Sequence, residues 1–198
     1  MPMKINTTTS GKKLLTLFLI LLAVLLCAFP ANAKPSKKTV KKAFKKYIRR
    51  YKDATSFGPQ KYYLTDLNKD GVKECIVQFQ DGMKCRLIIL VYKNNKVRKA
   101  FNKTGVEEIH YNKSKNRICI DFSSGAADHD TIIYKLSGKK MKKKDYYRSV
   151  SSYLGGSLSV THYHKKQIIS ESAFYAKLWE ISDSWRNVSP FAVGKEIP

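Results

Sequence analysis

Apolar residues recur with two different periods along this chain. Between residues 37 and 52 they fall at Val40, Phe44, Tyr47, Ile48 and Tyr51, a helical spacing, while lysine or arginine fills most positions between them. This predicts an amphipathic helix from Lys37 to Lys52 whose outer face is wholly basic. From Lys61 onward the period shortens. The stretches 61–65, 73–80, 85–93, 96–102, 106–111, 117–123, 131–136 and 139–146 read as strands, with Asp81-Gly82, Asn94-Asn95 and Ser137-Gly138 as turns between them. Cys85 to Lys93 is apolar on both faces through Leu87, Ile88, Ile89, Leu90 and Val91, which marks a strand covered on both sides.

Ser149 to Ser159, with Gly155-Gly156, reads as polar and loose, and Val160 to Ile169 as a short hairpin. Ser170 can cap a last helix from Glu171 to Ser184, whose apolar face is Phe174, Leu178 and Ile181, with Trp185 just beyond. The tail from about residue 187 holds Pro190, Gly194 and Pro198 and reads as irregular. The run Tyr92 to Lys99 is echoed by Tyr134 to Lys143, so one hairpin type is used twice, and two copies cannot close a propeller. The expected fold is α+β, one domain over residues 34–198: a single antiparallel β-meander sheet of about six strands with an N-terminal and a C-terminal helix.

Residues 1–33 follow neither period. Lys4, Lys12 and Lys13 precede an unbroken apolar run from Leu14 to Phe29, and Ala31-Asn32-Ala33 supplies the small residues that signal peptidase requires. The run is shorter than the ~20 residues that span a bilayer as a helix. It reads as a signal peptide cleaved after Ala33, which makes the remainder secreted or cell-envelope associated. Leu26 stands where a small residue should precede a lipidated Cys27, so no lipid anchor is expected.

Charge sharpens this picture. The chain has 38 basic and 15 acidic residues, a net charge of +23, and removing residues 1–33 takes away three lysines and no acid. The expected partners are therefore anionic. Lys41, Lys42, Lys45, Lys46, Arg49 and Arg50 on the first helix, with Lys139, Lys140, Lys142 and Lys143 on a later hairpin, are the candidate contacts to an anionic cell-envelope polymer or membrane surface. No RNA- or DNA-binding motif accompanies them, and nothing in the sequence calls for an obligate protein partner, so a monomer is expected. Cys75, Cys85 and Cys119 permit at most one disulfide. A two-residue turn at Asp81-Gly82 would pair Cys75 with Ile88 and Cys85 with Gln78, on opposite faces of the sheet, and unpaired thiols are expected.

The densest chemistry lies in Asp66-Leu67-Asn68-Lys69-Asp70-Gly71-Val72-Lys73-Glu74. Side-chain oxygens of Asp66, Asn68, Asp70 and Glu74 and the carbonyl of Val72 make a hard donor set at the spacing of a Ca²⁺ loop, with Gly71 at the sharp turn. Val77 stands where an EF-hand has its twelfth-position Glu, and a strand follows, so the loop is expected to pin a strand junction through structural Ca²⁺. Its plainer reading is an Asx-rich turn without metal. His162 and His164, two apart on a strand, and Asp128-His129-Asp130 offer metal donors of another kind, although surface histidines on a hairpin explain them as well. An alternative to a non-enzymatic binding module is a secreted hydrolase or inhibitor with a site near Ser123 to Asp130. Yet no G-x-S-x-G, H-E-x-x-H or P-loop is present.

The motif Y-x-x-x-D-L-[DN]-x-D-G-x-x-E-[LC]-[IL]-V, here Tyr62 to Val77, precedes Tyr-Lys hairpins and a Ser-capped last helix. In these features the chain resembles a diffuse group of uncharacterised small secreted proteins of Gram-positive, often gut-dwelling, bacteria. The resemblance implies an α+β extracytoplasmic domain with metal at Asp66, Asn68, Asp70 and Glu74, and implies no activity. The high lysine content and Cys75, where Leu is more usual, depart from that pattern.

Overall fold

Ser36 caps the first long helix by accepting the Thr39 N–H on its hydroxyl at 3.1 Å, and helix α1 (Lys37–Ile48) follows. It ends in a 3₁₀ turn, Arg49–Tyr51, rather than continuing as an α-helix to Lys52. The computed structural model describes residues 18, 34–51, 60–81, 84–123 and 128–197. Apart from residue 18, the signal-peptide reading falls outside the described residues, as do Lys52 and the small-residue segment 124–127.

The strands are β1 (Lys61–Thr65), β2 (Glu74–Asp81), β3 (Lys84–Lys93), β4 (Lys96–Thr104), β5 (Val106–Asn112), β6 (Arg117–Ser123), β7 (His129–Ser137), β8 (Lys140–Leu154), β9 (Ser157–His164) and β10 (Gln167–Ile169). Helix α2 (Glu171–Ser184), β11 (Arg186–Asn187), α3 (Pro190–Val193) and β12 (Lys195–Glu196) complete the chain. Both long helices lie where their spacing predicts. The expected single sheet of about six strands in an α+β fold does not hold: the protein is mostly β and builds two antiparallel sheets. One has five strands in the order β12-β1-β2-β3-β4, the other seven in the order β10-β9-β8-β7-β6-β5-β11.

The division falls at Gly105. Its φ of +78° is cheap only for glycine, and it lies between β4, in the first sheet, and β5, in the second. A Cβ there would sit 3.2 Å from the Ser123 carbonyl oxygen, and the Gly105 carbonyl accepts the Ser123 N–H at 3.0 Å. Six strands in one sheet would leave a wide apolar face to cover; turning the chain at this corner lets two sheets cover each other.

Residues 35–198 then pack as one unit of four layers, helix, sheet, sheet and helix. Strand alternation assigns each side chain to its layer. Ile76, Leu87, Ile89, Val91 and Phe101 from the first sheet meet Ile109, Tyr111, Ile118, Ile120 and Leu136 from the second. The opposite face of the first sheet, with Cys75, Val77, Phe79, Ile88 and Leu90, takes Val40, Phe44 and Ile48 of α1. The outer face of the second takes Phe174 and Ile181 of α2 and Trp185 onto Cys119, Ile133 and Tyr147.

Other expectations shift in register or extent. Cys75 pairs with Leu90 and Cys85 with Gln80, two residues from the sequence-based register, which leaves every side chain on its expected face. The three thiols are free, Cys75 and Cys119 buried and Cys85 half-buried. Ser149 to Ser159, read as loose, instead continues β8 and begins β9 around the Gly155-Gly156 turn. Its apolar signal is weak because that end of the hairpin is solvated, with Tyr153 and Leu158 exposed. The tail beyond residue 187 closes an edge: β12 pairs with β1, as β11 does with β5. Among the described residues no helix is long and apolar enough to cross a membrane.

Candidate functional site

The acidic loop joins β1 to β2, and its backbone shape follows from its side chains. Asp66 Oδ2 accepts the Gly71 N–H at 2.9 Å, Asn68 Oδ1 the Asp70 N–H at 2.9 Å, and Asp70 Oδ1 the Val72 N–H at 2.7 Å. These Asx bonds fold the chain inward, with Lys69 and Gly71 both at positive φ. Glu74, almost fully buried at the start of β2, reaches back so that its Oε2 accepts the Leu67 N–H at 2.7 Å. One oxygen of each acid is thus spent on the backbone.

The second oxygens of Asp70 and Glu74 share one donor. The Asn68 amide nitrogen donates to Asp70 Oδ2 at 3.0 Å and to Glu74 Oε1 at 3.1 Å, bridging two carboxylates. Asp66 Oδ1 is buried without a hydrogen-bond partner. Burial, opposed by the Leu67 N–H and reinforced by Asp70 and Asp66, pushes the Glu74 carboxyl from 4.5 to about 8. The loop is thus folded on itself by Asp66, Asn68, Asp70 and Glu74, with Glu74 buried at its base. Val72 enters through its N–H.

Helix α1 lies beside this loop. Pro35, Val40 and Phe44 from the helix side and Leu64, Gly71 and Val72 from the strand and loop line a cleft of about 190 Å³, with Lys37, Lys41 and Lys73 at its wall. Because Val40, Phe44 and Ile48 point into the sheet, the remaining faces are turned outward. Lys38, Lys41, Lys42, Lys45, Lys46 and Arg49 line one shallow groove. Arg50 instead lies with its guanidinium 3.9 Å from the centre of the Tyr47 ring.

The second lysine group is on the β7–β8 hairpin. Lys139 sits in its turn, Lys140, Lys142 and Lys143 on β8, all exposed, and Lys143 Nζ is 3.7 Å from the centre of the Tyr146 ring. The repeated hairpins belong to different sheets, yet their tips meet: a Cβ on Gly138 would lie 3.4 Å from Lys93 Nζ. Phe44 of α1 contacts Tyr92, next to that tip, with ring centres 6.4 Å apart.

Of the residues in the hydrolase reading, Ser124 lies outside the described residues, while Ser123 and His129 are register partners on β6 and β7. Nearby, burial and Asp121 hold the Cys119 thiol well above the usual range. His129 is partly buried, with Nδ1 3.7 Å from Glu107 Oε2. His162 is not a surface residue; it is buried against Phe174 and Tyr175. His164 shares its face but stacks on Tyr147 and bonds Asp145 at 2.7 Å.

One group emerges that sequence reading missed. Among the described residues, Glu108, His110 and Asp121 have ligand atoms all within 4.8 Å of one another, and the acids of the 66–74 loop are not gathered that closely. The Glu-x-His spacing on one strand was a visible signal, but Asp121 joins only through the β5–β6 register.

No family model matches this chain, and no curated protein or solved structure shows significant similarity to it.

Proposed function

We propose that the protein is a secreted, non-enzymatic binding module that holds an anionic cell-envelope polymer or membrane surface on its basic face, with Ca²⁺ in the 66–74 loop as a structural brace. The observation that carries this reading is α1, which buries three apolar residues at four-residue spacing and presents Lys38, Lys41, Lys42, Lys45, Lys46 and Arg49 along one groove. Such a face attracts polyanions by summed potential rather than by shape. The lysines of the two hairpin tips extend the basic surface toward the Tyr92 end of the first sheet.

Support for Ca²⁺ comes from the loop's bonding. Asp66, Asn68 and Asp70 each fix the backbone with one oxygen, and Asp66 keeps another that is buried and unpaired. A hard cation would displace the Asn68 amide nitrogen from between Asp70 and Glu74 and draw these oxygens together. Its place beside α1, across the shared cleft, would brace the face that meets the polyanion.

The test is co-sedimentation of the protein from Lys34 onward with vesicles containing anionic phospholipid and, separately, with teichoic acid, across a salt series. The reading expects retention at low salt that falls steeply as the Debye length shrinks, and weaker retention when Lys41, Lys42, Lys45 and Lys46 are changed to Gln. Indifference to both polyanions at low salt would refute it.

A further inference from the structure

The geometry points to a second, chemically different metal site: Glu108, His110 and Asp121 bind a divalent d-block cation, with Zn²⁺ as its natural probe, on the outer face of the seven-stranded sheet. The inference stands apart from the binding-module reading and from the 66–74 loop. It begins with strand geometry. Glu108 and His110 are two apart on β5 and share a face, and the register sets Asp121 of β6 opposite Glu108 and Cys119 opposite His110. A bulge between Val106 and Glu108 fixes where that alternation starts.

The distances suit one ion. His110 Nε2 lies 2.8 Å from Glu108 Oε2 and 3.9 Å from Asp121 Oδ2, and all three donors fall within 4.8 Å of one another. Ligands about 2.0–2.2 Å from a tetrahedral ion are themselves roughly 3.3–3.6 Å apart, so small side-chain adjustments suffice. Burial is graded from floor to rim: the side chains of His110, Asp121 and Glu108 are 7%, 25% and 56% exposed. That leaves a rigid base with an approach from solvent and a fourth position open. Asp121 is also oriented from behind, by a hydrogen bond with Thr131 and by Cys119 Sγ at 3.9 Å from its Oδ1.

Charge argues the same way. Glu108 and Asp121 bring two carboxylates to one point with Glu107 nearby, and a divalent ion would balance two negative charges there. One nitrogen and two oxygen donors suit Zn²⁺ or Mn²⁺, whereas Ca²⁺ prefers oxygen alone. The other histidines are otherwise engaged, His129 with Glu107, His162 with Phe174 and Tyr175, and His164 with Asp145 and Tyr147.

The experiment is isothermal titration of the chelator-stripped protein with Zn²⁺, in the presence of Ca²⁺, with Co²⁺ absorption reporting coordination. Expected is one Zn²⁺ per chain, weakened by at least about tenfold in Glu108→Gln and in Asp121→Asn, and unchanged in His164→Gln. Glu108 is more than half exposed, so its variant is expected to fold even if Asp121→Asn does not. Zn²⁺ binding no tighter than millimolar, or binding untouched by Glu108→Gln, would overturn the proposal. Loss in His164→Gln alone would place the metal elsewhere and overturn it equally.

Discussion

Glu74→Gln is the sharpest probe of the acidic loop. The unfolded chain releases the Glu74 proton near 4.5 and the folded chain near 8. Between those values the folded state holds more protons, so stability is present below 4.5 and is lost as pH rises toward 8. At about 1.36 kcal/mol for each pH unit between those values, the loss reaches about 5 kcal/mol once the carboxylate is forced to ionise. Gln keeps an oxygen for the Leu67 N–H, the bond seen at 2.7 Å, and removes the charge that repels Asp70 and Asp66. Without divalent cation, the variant is expected to match wild type near pH 4.5 and to exceed it at pH 8 by up to about 5 kcal/mol, roughly 10–20 °C in melting temperature. With Ca²⁺ the order is expected to reverse under the proposed Ca²⁺ brace, because wild type would gain linkage stabilisation that the variant lacks. Thermal melts of both proteins across this pH range, with Ca²⁺ or EGTA, measure the difference. Two curves that stay parallel at every pH, with and without Ca²⁺, would refute the reasoning from burial and clustered charge.

Other expected outcomes are independent of that loop. Phe44→Ala, which empties a fully buried site between α1 and the first sheet, should cost about 3–5 kcal/mol in chemical denaturation and detach the basic helix. Gly105→Ala should cost about 1–2 kcal/mol, because a Cβ is unfavourable at φ +78° and crowds the Ser123 carbonyl. A thiol reagent should modify half-buried Cys85 in the native protein, and Cys75 and Cys119 only in denaturant. Changing Lys41, Lys42, Lys45 and Lys46 together to Gln should weaken association with anionic vesicles by up to about a thousandfold at low salt, at about 1 kcal/mol per lysine, and flatten its salt dependence.

Periodicity alone located much of this structure. Val40, Phe44 and Ile48 marked the buried stripe of α1, Leu87 to Val91 marked a strand covered on both sides, and Ser170 marked the start of α2; all three follow from local geometry. The loop's bonding could likewise be read from Asp66 to Glu74, because its partners lie within nine residues of one another. Sheet membership could not be read this way. Whether β4 and β5 share a sheet rests on a single left-handed residue, Gly105, and on how much apolar surface two faces bury together. The loose reading of Ser149 to Ser159 failed because solvated strands carry no alternating apolar signal, although their backbone pairing is continuous. Glu108, His110 and Asp121 remained scattered in the sequence because only the β5–β6 register makes them neighbours. The sequence by itself determined the helices, most strands and the charge they carry, since those depend on residues a few positions apart. The tertiary structure decided which strands share a sheet, which histidines are buried and which acids meet, since those depend on pairing between residues far apart in the chain.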